Sequence, residues 1–349
     1  MKNLICIAGP TASGKTALSI ALSKELDGEI VSCDSMQVYK RMDIGTAKPT
    51  VEEREGIPHH MLDVAEPWED FSVSRYCEMA SPIVDDILAR GKTAIIVGGT
   101  GLYMDSLIKG NEFAPYPATG RRQELEALAE EKGIEAVIEQ LREVDPESAQ
   151  KLHPSDRKRI IRAMEVYLET GISITEHNRR TQELPPKYHP VWFALEDVDR
   201  QTLYDRIDKR VEIMLQDGLI EEIQFLLAEG IPEKCTAMQA IGYKEFVDAL
   251  NGRSSMETAT QLVQQSSRKY AKRQLTWFRR NKDIHWLRRE AGEGTEEILQ
   301  KARRILAEYA AGTVPLPGSA IPMASVRQFM EFAVYIPEQE PQVGQAFSS

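Results

Sequence analysis

A glycine-rich octapeptide, Gly9-Pro10-Thr11-Ala12-Ser13-Gly14-Lys15-Thr16, carries the first chemistry in the chain. Its spacing, G-x-x-x-x-G-K-T, fits a loop whose backbone N–H groups and following helix N-terminus hold phosphate oxygens. Lys15 adds a point charge there, and Thr16 offers a hydroxyl to magnesium. Context supports this reading, because Leu4-Ile5-Cys6-Ile7-Ala8 before the loop is an apolar strand pattern and Ala17 to Leu26 after it is amphipathic. A bound di- or triphosphate is expected. A second polar cluster, Asp34-Ser35-Met36-Gln37-Val38-Tyr39, ends the apolar run from Glu29 to Cys33. Open parallel sheets bind ligands beyond the carboxyl ends of their strands, so Asp34 and Gln37 should face the phosphate loop. Asp34 has three candidate jobs: general base for a nucleophile, outer ligand of the magnesium, or helix N-cap. A third run, Lys92 to Val97, ends in Gly98-Gly99-Thr100-Gly101-Leu102-Tyr103. Many nucleotide hydrolases hold their metal from an acid at that point, whereas glycines suit close backbone approach by a substrate.

These clusters need a parallel α/β sheet to bring them together. Ser72 to Arg90 has helical spacing and stops at Gly91, and Pro190 to Leu195 reads as a strand rejoining the sheet. Arg41 to Trp68, rich in Gly, Pro and charge, reads as a long functional loop with a short helix. The character changes after Asn111. Pro115 and Pro117 break the chain, Arg121 to Arg142 is a charged helical stretch interrupted at Gly133, and Pro154-Ser155-Asp156 caps a helix running to Gly171. Arg159 and Arg162 share a face of that helix, suited either to phosphates or to solvent. Tyr204 to Glu229 predicts one or two helices broken at Gly218, and a further helix begins at Ser255. The expected organisation is a core over 1–114 and 186–312, a helical insertion over 115–185, and an irregular, proline-rich tail over 313–349.

Length and composition set further bounds. The 349 residues suggest two domains, and 42% apolar content is ample for a large core. No run of about 18 apolar residues and no signal peptide are present, so a cytoplasmic protein with no membrane partner is expected. The four cysteines, Cys6, Cys33, Cys77 and Cys235, lack a C-x-x-C pair and read as buried thiols; His59-His60 reads as a packed or surface pair. The net charge of −11 argues against a nucleic-acid partner, but its distribution does not. Residues 266–280 hold Arg268, Lys269, Lys272, Arg273, Arg279 and Arg280 without one acid, interleaved with Tyr270, Trp277 and Phe278. That mixture suits phosphate contacts with aromatic stacking on unpaired bases, or else a core-facing aromatic stripe with a solvated basic face. Residues 121–150 are the reverse, with nine acids against four bases.

Taken together, GPTASGKT at 9–16, DSMQVY at 34–39, GGTGLY at 98–103, RKRIIRAMEVYLETG at 157–171, QAIGYKE at 239–245 and KRQLTWFRR at 272–280 closely resemble the bacterial tRNA dimethylallyltransferase family, in the family's order. The likeness covers roughly residues 1–312. It implies a phosphate-loop NTPase-like α/β core with a helical insertion and a helical C-terminal part. It also implies transfer of a dimethylallyl group from dimethylallyl diphosphate to the exocyclic amine of the adenosine 3′-adjacent to the anticodon, with magnesium on Thr16 and diphosphate released. The phosphate loop, Gly9 to Thr16, would hold the leaving diphosphate. By the same likeness Asp34 is the general base, Ser35, Met36 and Gln37 contact the target nucleotide, and Thr100 lies between base and diphosphate. Arg162, with Lys158 and Arg159 and within the stretch that includes Ile160 and Ile161, would meet the diphosphate side or nearby RNA, and Arg122 would lie on the RNA-facing edge of the insertion. Gln239, Ala240, Ile241, Gly242, Tyr243 and Lys244, with Lys272, Arg273, Gln274, Leu275, Thr276, Trp277, Phe278 and Arg279, would grip the anticodon loop of a tRNA bound by a monomer. The rivals are an adenylate isopentenyltransferase, a shikimate- or nucleoside-monophosphate-type kinase, and a non-catalytic RNA-binding protein. Neither of the first two needs KRQLTWFRR, and the third leaves Lys15, Thr16 and Asp34 without a purpose.

Overall fold

Aliphatic, largely β-branched runs build the sheet, and glycines at positive φ end most of the helices around it. The computed structural model describes residues 4–111 and 119–312. The first half runs β1 (Leu4–Ala8), α1 (Lys15–Glu25), β2 (Gly28–Ser32), β3 (His59–His60), α2 (Val73–Ala89), β4 (Thr93–Gly98) and α3 (Gly101–Lys109). Next come α4 (Arg121–Glu131), α5 (Ile134–Val144), α6 (Pro146–Lys151), α7 (Arg157–Thr170) and α8 (Ile174–Glu183). The chain returns through β5 (Val191–Asp197), α9 (Arg200–Gln216), α10 (Leu219–Ala228), α11 (Tyr243–Leu250), α12 (Met256–Phe278), β6 (Ile284–Arg289) and α13 (Thr295–Ala310). The protein is therefore α/β, as its strand and helix patterns predict.

The sheet order is β3-β2-β4-β1-β5-β6, and every pairing is parallel. β1, β2 and β4 are buried along their whole length, as expected of a parallel sheet covered on both faces. Ile5, Ile7, Leu18, Ile95 and Phe193 form the core with Ile298 and Leu306 of α13. The chain moves from β1 to one side for β2 to β4 and to the other for β5 and β6. The carboxyl end of β1 is thus a topological switch point, where open α/β sheets bind ligands.

Two compact units emerge, residues 109–187 and the remainder. Among its described residues the first of these has helices and no strand, and Val137, Leu141, Ile160, Ile161 and Met164 fill its core. Buried Asp145 caps α6 by accepting the Ser148 N–H at 3.1 Å, and it also takes the Thr175 N–H at 3.0 Å and hydroxyl at 2.7 Å. The expected breaks at Pro115 and Pro117 and the tail over 313–349 lie outside the described residues.

Two local expectations change. No helix forms in 41–68, which apart from β3 is a series of turns around the buried Lys48 amine. That amine donates to Asp43 Oδ1 and Asp63 Oδ1, both at 2.6 Å, and to the Tyr39 carbonyl at 2.8 Å, so its three protons order the segment. Asp156 occupies the N-cap of α7, but its side chain caps nothing. Residues 284–289, IHWLRR, form β6 at the edge of the sheet. Among the described residues, no helix is long and apolar enough to cross a membrane. Cys6, Cys33 and Cys77 are buried free thiols, and Cys235 is half-buried.

Candidate active site

The phosphate loop joins β1 to α1, and Gly14 at its end has φ +88, a left-handed conformation that favours glycine. No side chain caps α1, so its first N–H groups are left for a ligand. The Ser13 hydroxyl is buried without a hydrogen-bond partner among the described residues. Lys15 folds back, its Nζ donating to the Pro10 carbonyl at 2.6 Å. Burial, helped by the neighbouring Arg210 charge, lowers the Lys15 pKa to about 7.

This loop opens into a cavity of about 780 Å³. Asp34 to Gln37, Gly45 to Ala47, Gln239 to Gly242, Lys244, Tyr270, Arg273 and Gln274 share its lining with residues 11–17. The fold therefore brings together most of what the sequence singled out in the core. Asp34 Oδ1 accepts the N–H groups of Met36 at 2.8 Å and Gln37 at 3.3 Å, which closes the turn after β2. Among the described residues nothing hydrogen-bonds Oδ2. No helix directly follows Asp34, so the N-cap reading is corrected to a turn-closing one, and that role on Oδ1 leaves Oδ2 for a base.

Other positions are put to different use. Gln37 spends both amide protons on the carbonyls of Thr46 (3.2 Å) and Ala47 (3.1 Å) and accepts the Ser32 hydroxyl, so it braces a wall of the cavity. Thr100 accepts the Ser35 N–H at 3.0 Å and does not itself line the cavity. The glycines of 98–101 admit parts of the chain itself. A Cβ on Gly98 would lie 1.9 Å from the Cys33 carbonyl oxygen, on Gly99 2.0 Å from Gln274 Nε2, and on Gly101 2.2 Å from the Trp277 ring. Gln274, buried on α12, ties the site together, accepting the Thr11 N–H and donating to the Gly99 carbonyl, both at 3.0 Å.

Of the two readings of the basic window, Trp277 and Phe278 follow the core-facing one. Phe278 is buried, and the Trp277 N–H bonds Asp105 at 2.9 Å while the Arg280 guanidinium covers its ring at 3.8 Å. Tyr270 is half-buried and lies under Arg273, its hydroxyl pKa pushed up to about 12 by burial and then by the Asp34 charge. Trp277 and Phe278 face the protein, where burial of their apolar area is favourable, whereas Tyr270 lines the cavity. Arg268 pairs with Asp208 and Arg279 with Glu196, whereas Lys272 and Arg273 are exposed and Thr276 beside them is exposed too. Among the described residues no ion pair involves Lys272 or Arg273. Leu275 is half-buried. In the 239–244 segment, Gln239 and Lys244 are exposed, Ile241 is half-buried and Ala240 and Tyr243 are buried.

Within the helical unit, Ile160 and Ile161 are core residues and offer no surface to RNA. Arg162 pairs with Glu165 at 2.8 Å and Arg122 with Glu126 at 3.2 Å. Lys158 and Arg159 are exposed, and no ion pair involves them among the described residues.

Arg210 was missed from the sequence. It lines the cavity from α9, with Nη1 3.4 Å from the Thr11 hydroxyl, and burial lowers its pKa. Arg289 of β6 lies against Gly14, close enough that a Cβ there would be 2.9 Å from its Nη2. The available signal was a basic residue inside an apolar helical stripe (Leu203, Ile207, Val211), an arrangement that buries a charge. As for metal, no group of three or more His, Cys, Asp or Glu could hold an ion among the described residues. His60 bonds Glu29 at 2.9 Å, and His59 its own backbone at Ile57. The exposed Thr16 hydroxyl fits magnesium held chiefly by substrate phosphates, the usual mode for that ion.

Comparison with known proteins agrees with the geometry. A family model described as IPP transferase matches residues 37–281. The tRNA dimethylallyltransferase of Acetivibrio thermocellus is 44% identical over 88% of this chain and 99% of its own length, and that of Caldanaerobacter subterraneus 45% identical over 88% and 98%. The solved structure of a full-length tRNA isopentenylpyrophosphate transferase from Bacillus halodurans matches with a TM-score of 0.66 at 40% identity, covering 88% of this chain and 97% of that one. A eukaryotic dimethylallyltransferase solved acting on tRNA matches with a TM-score of 0.77 at 28% identity, over 95% and 85%. With a phosphate loop that opens on an acid-bearing turn, and with relatives of this identity over nearly their whole length, the chain belongs to the IPP transferase family.

Proposed function

We propose that the chain transfers a dimethylallyl group from dimethylallyl diphosphate to the exocyclic amine of the adenosine 3′-adjacent to the anticodon of a tRNA. The observation that carries this reading is one cavity in which an uncapped helix N-terminus and Lys15 meet the free oxygen of Asp34. The diphosphate sits on the loop N–H groups, Lys15 and Arg210, which favour the charge that develops as the allylic C–O bond breaks. Magnesium, held by the Thr16 hydroxyl and the diphosphate oxygens, would supply further charge neutralisation. Asp34 Oδ2 accepts the proton that the adenine amine loses as its nitrogen bonds to C1 of the dimethylallyl group. Diphosphate departs. Ser35 and Met36 line the acceptor side, held by Thr100 through the Ser35 N–H. A base stacked in a loop must be flipped out to reach such a cavity. Lys158 and Arg159 meet RNA phosphates from the helical unit. The protein works as a cytoplasmic monomer.

Incubation with magnesium, radiolabelled dimethylallyl diphosphate and unmodified tRNA tests the reading, with AMP as a parallel acceptor. Label in tRNA is the expected result; label in AMP alone, or none in either, rejects it.

Two further results are expected. Replacing Lys272 and Arg273 together by Ala should weaken tRNA binding and reduce the slope of log affinity against log salt by about 2, one for each phosphate that is no longer neutralised. An unchanged slope would leave these bases as a solvated face. The second concerns Lys15. Its amine is half-deprotonated near pH 7 in the free protein, and a bound diphosphate favours the ammonium. Binding at pH 8.5 should therefore take up about one proton, and affinity should fall as pH rises above 7. Calorimetry in two buffers of different ionisation enthalpy measures the uptake, which should vanish in Lys15→Met.

A further inference from the structure

Gly45, Thr46 and Ala47 form one wall of the cavity, and no helix or strand contains them. A single carboxylate holds that wall. Glu222, half-buried on α10, accepts the backbone N–H groups of Asp43 and Ile44 on Oε2, both at 2.8 Å, and that of Gly45 on Oε1 at 3.1 Å. The same Oε1 accepts the Tyr243 hydroxyl at 2.6 Å. Tyr243 is fully buried at the start of α11, next to cavity-lining Gly242. Gly45 lies on its ring, since a Cβ there would come within 2.5 Å of Cε2. At its other end the wall accepts both Gln37 amide protons. One path of hydrogen bonds therefore runs from the turn bearing Asp34, through Gln37, residues 43–47 and Glu222, to the 239–244 segment.

We propose that Glu222 is a positioning residue that sets the width of the slot receiving the flipped base, by fixing the Asp34 turn relative to the 239–244 segment. The inference rests on the reading above, in which those two segments receive the RNA. Four donors converge on two oxygens, so the carboxylate is fully used. Glutamine keeps the shape but accepts on one oxygen only, and its amide protons would oppose a backbone N–H that cannot turn away. The diphosphate groups are untouched, because among the described residues no hydrogen bond or ion pair joins Glu222 to the loop at 9–16 or to Arg210.

Steady-state kinetics of the full-length chain with magnesium, dimethylallyl diphosphate and unmodified tRNA transcript test the proposal. Glu222→Gln should raise KM for tRNA about tenfold, the scale of an orphaned buried donor, with KM for dimethylallyl diphosphate within about twofold and kcat within about threefold. Gly45→Ala pushes the wall off Tyr243 from the opposite side and should give the same split. A carboxylate that merely supports the fold would lower Tm and the active fraction, hence kcat, with both KM values unchanged. That result, or an unchanged KM for tRNA in both variants, overturns the proposal. A wild-type chain that transfers nothing to tRNA overturns the parent reading, and this one with it.

Discussion

Asp34→Asn is expected to lower the single-turnover rate by about two decades or more, the range for loss of a general base, while leaving tRNA affinity within about twofold. The choice of Asn matters. Its Oδ1 still accepts the Met36 and Gln37 N–H groups that close the turn, so the backbone of 34–37 stays in place. Only the free oxygen is replaced, by an amide nitrogen that cannot take a proton. Asp34→Ala would lose turn and base together. Rapid-quench measurement of labelled tRNA under saturating substrates reads the rate, and filter binding reads the affinity. Retention of the rate would leave Asp34 with its turn-closing role alone.

Lys15→Ala should reduce kcat/KM for dimethylallyl diphosphate by about 10²–10³, as removal of a preorganised charge from a developing anion does. Affinity for tRNA should hold. Stability should not suffer, and the sign follows from titration. A lysine with a folded pKa of about 7 and an ordinary unfolded value near 10.5 opposes folding, fully so below pH 7 and progressively less as pH rises towards 10.5. The variant's Tm at pH 7 should therefore equal or exceed that of the wild type. A fall of several degrees, with kcat/KM unchanged, would make Lys15 a packing residue that holds the loop through Pro10. Lys15→Arg should not rescue the loss, because a planar guanidinium does not replace a compact ammonium in the buried slot.

Much of this was legible in the sequence because it is local. The phosphate loop, the buried strands at 4–8, 28–32 and 93–98 and the helix ends at Gly91, Gly171 and Gly218 are written in consecutive residues. So is the start of α12 at Ser255, whose hydroxyl accepts the Thr258 N–H at 3.0 Å. What escaped depends on partners far along the chain. Lys48 looks like a surface lysine until Asp63 and the Tyr39 carbonyl meet it, and Gln274 looks like one polar residue in a basic helix until Thr11 and Gly99 do. The glycines of 98–101 signal close approach correctly, but a sequence does not say what approaches. Here Cys33, Gln274 and Trp277 do. The basic window shows the same limit from the other side, since its charges were visible while the inward direction of Trp277 and Phe278 was only one of two open readings.

The sheet order also bears on how the chain is made. Central β1 has β4 on one side and β5 on the other, and the whole helical unit is encoded between those two neighbours. On the ribosome, β1 can pair with β4 early, yet its second edge stays open until Val191–Asp197 emerges. An apolar strand with an unpaired edge is the kind of surface on which nascent chains associate. The gap is narrowed by geometry at the stem of the excursion, where the Lys187 N–H bonds the Lys109 carbonyl and the Tyr188 N–H that of Ile108. Outgoing and returning backbone lie side by side there, which returns the chain to the core just before β5. The phosphate loop, seated at the tip of the strand that waits longest, is then completed late in synthesis.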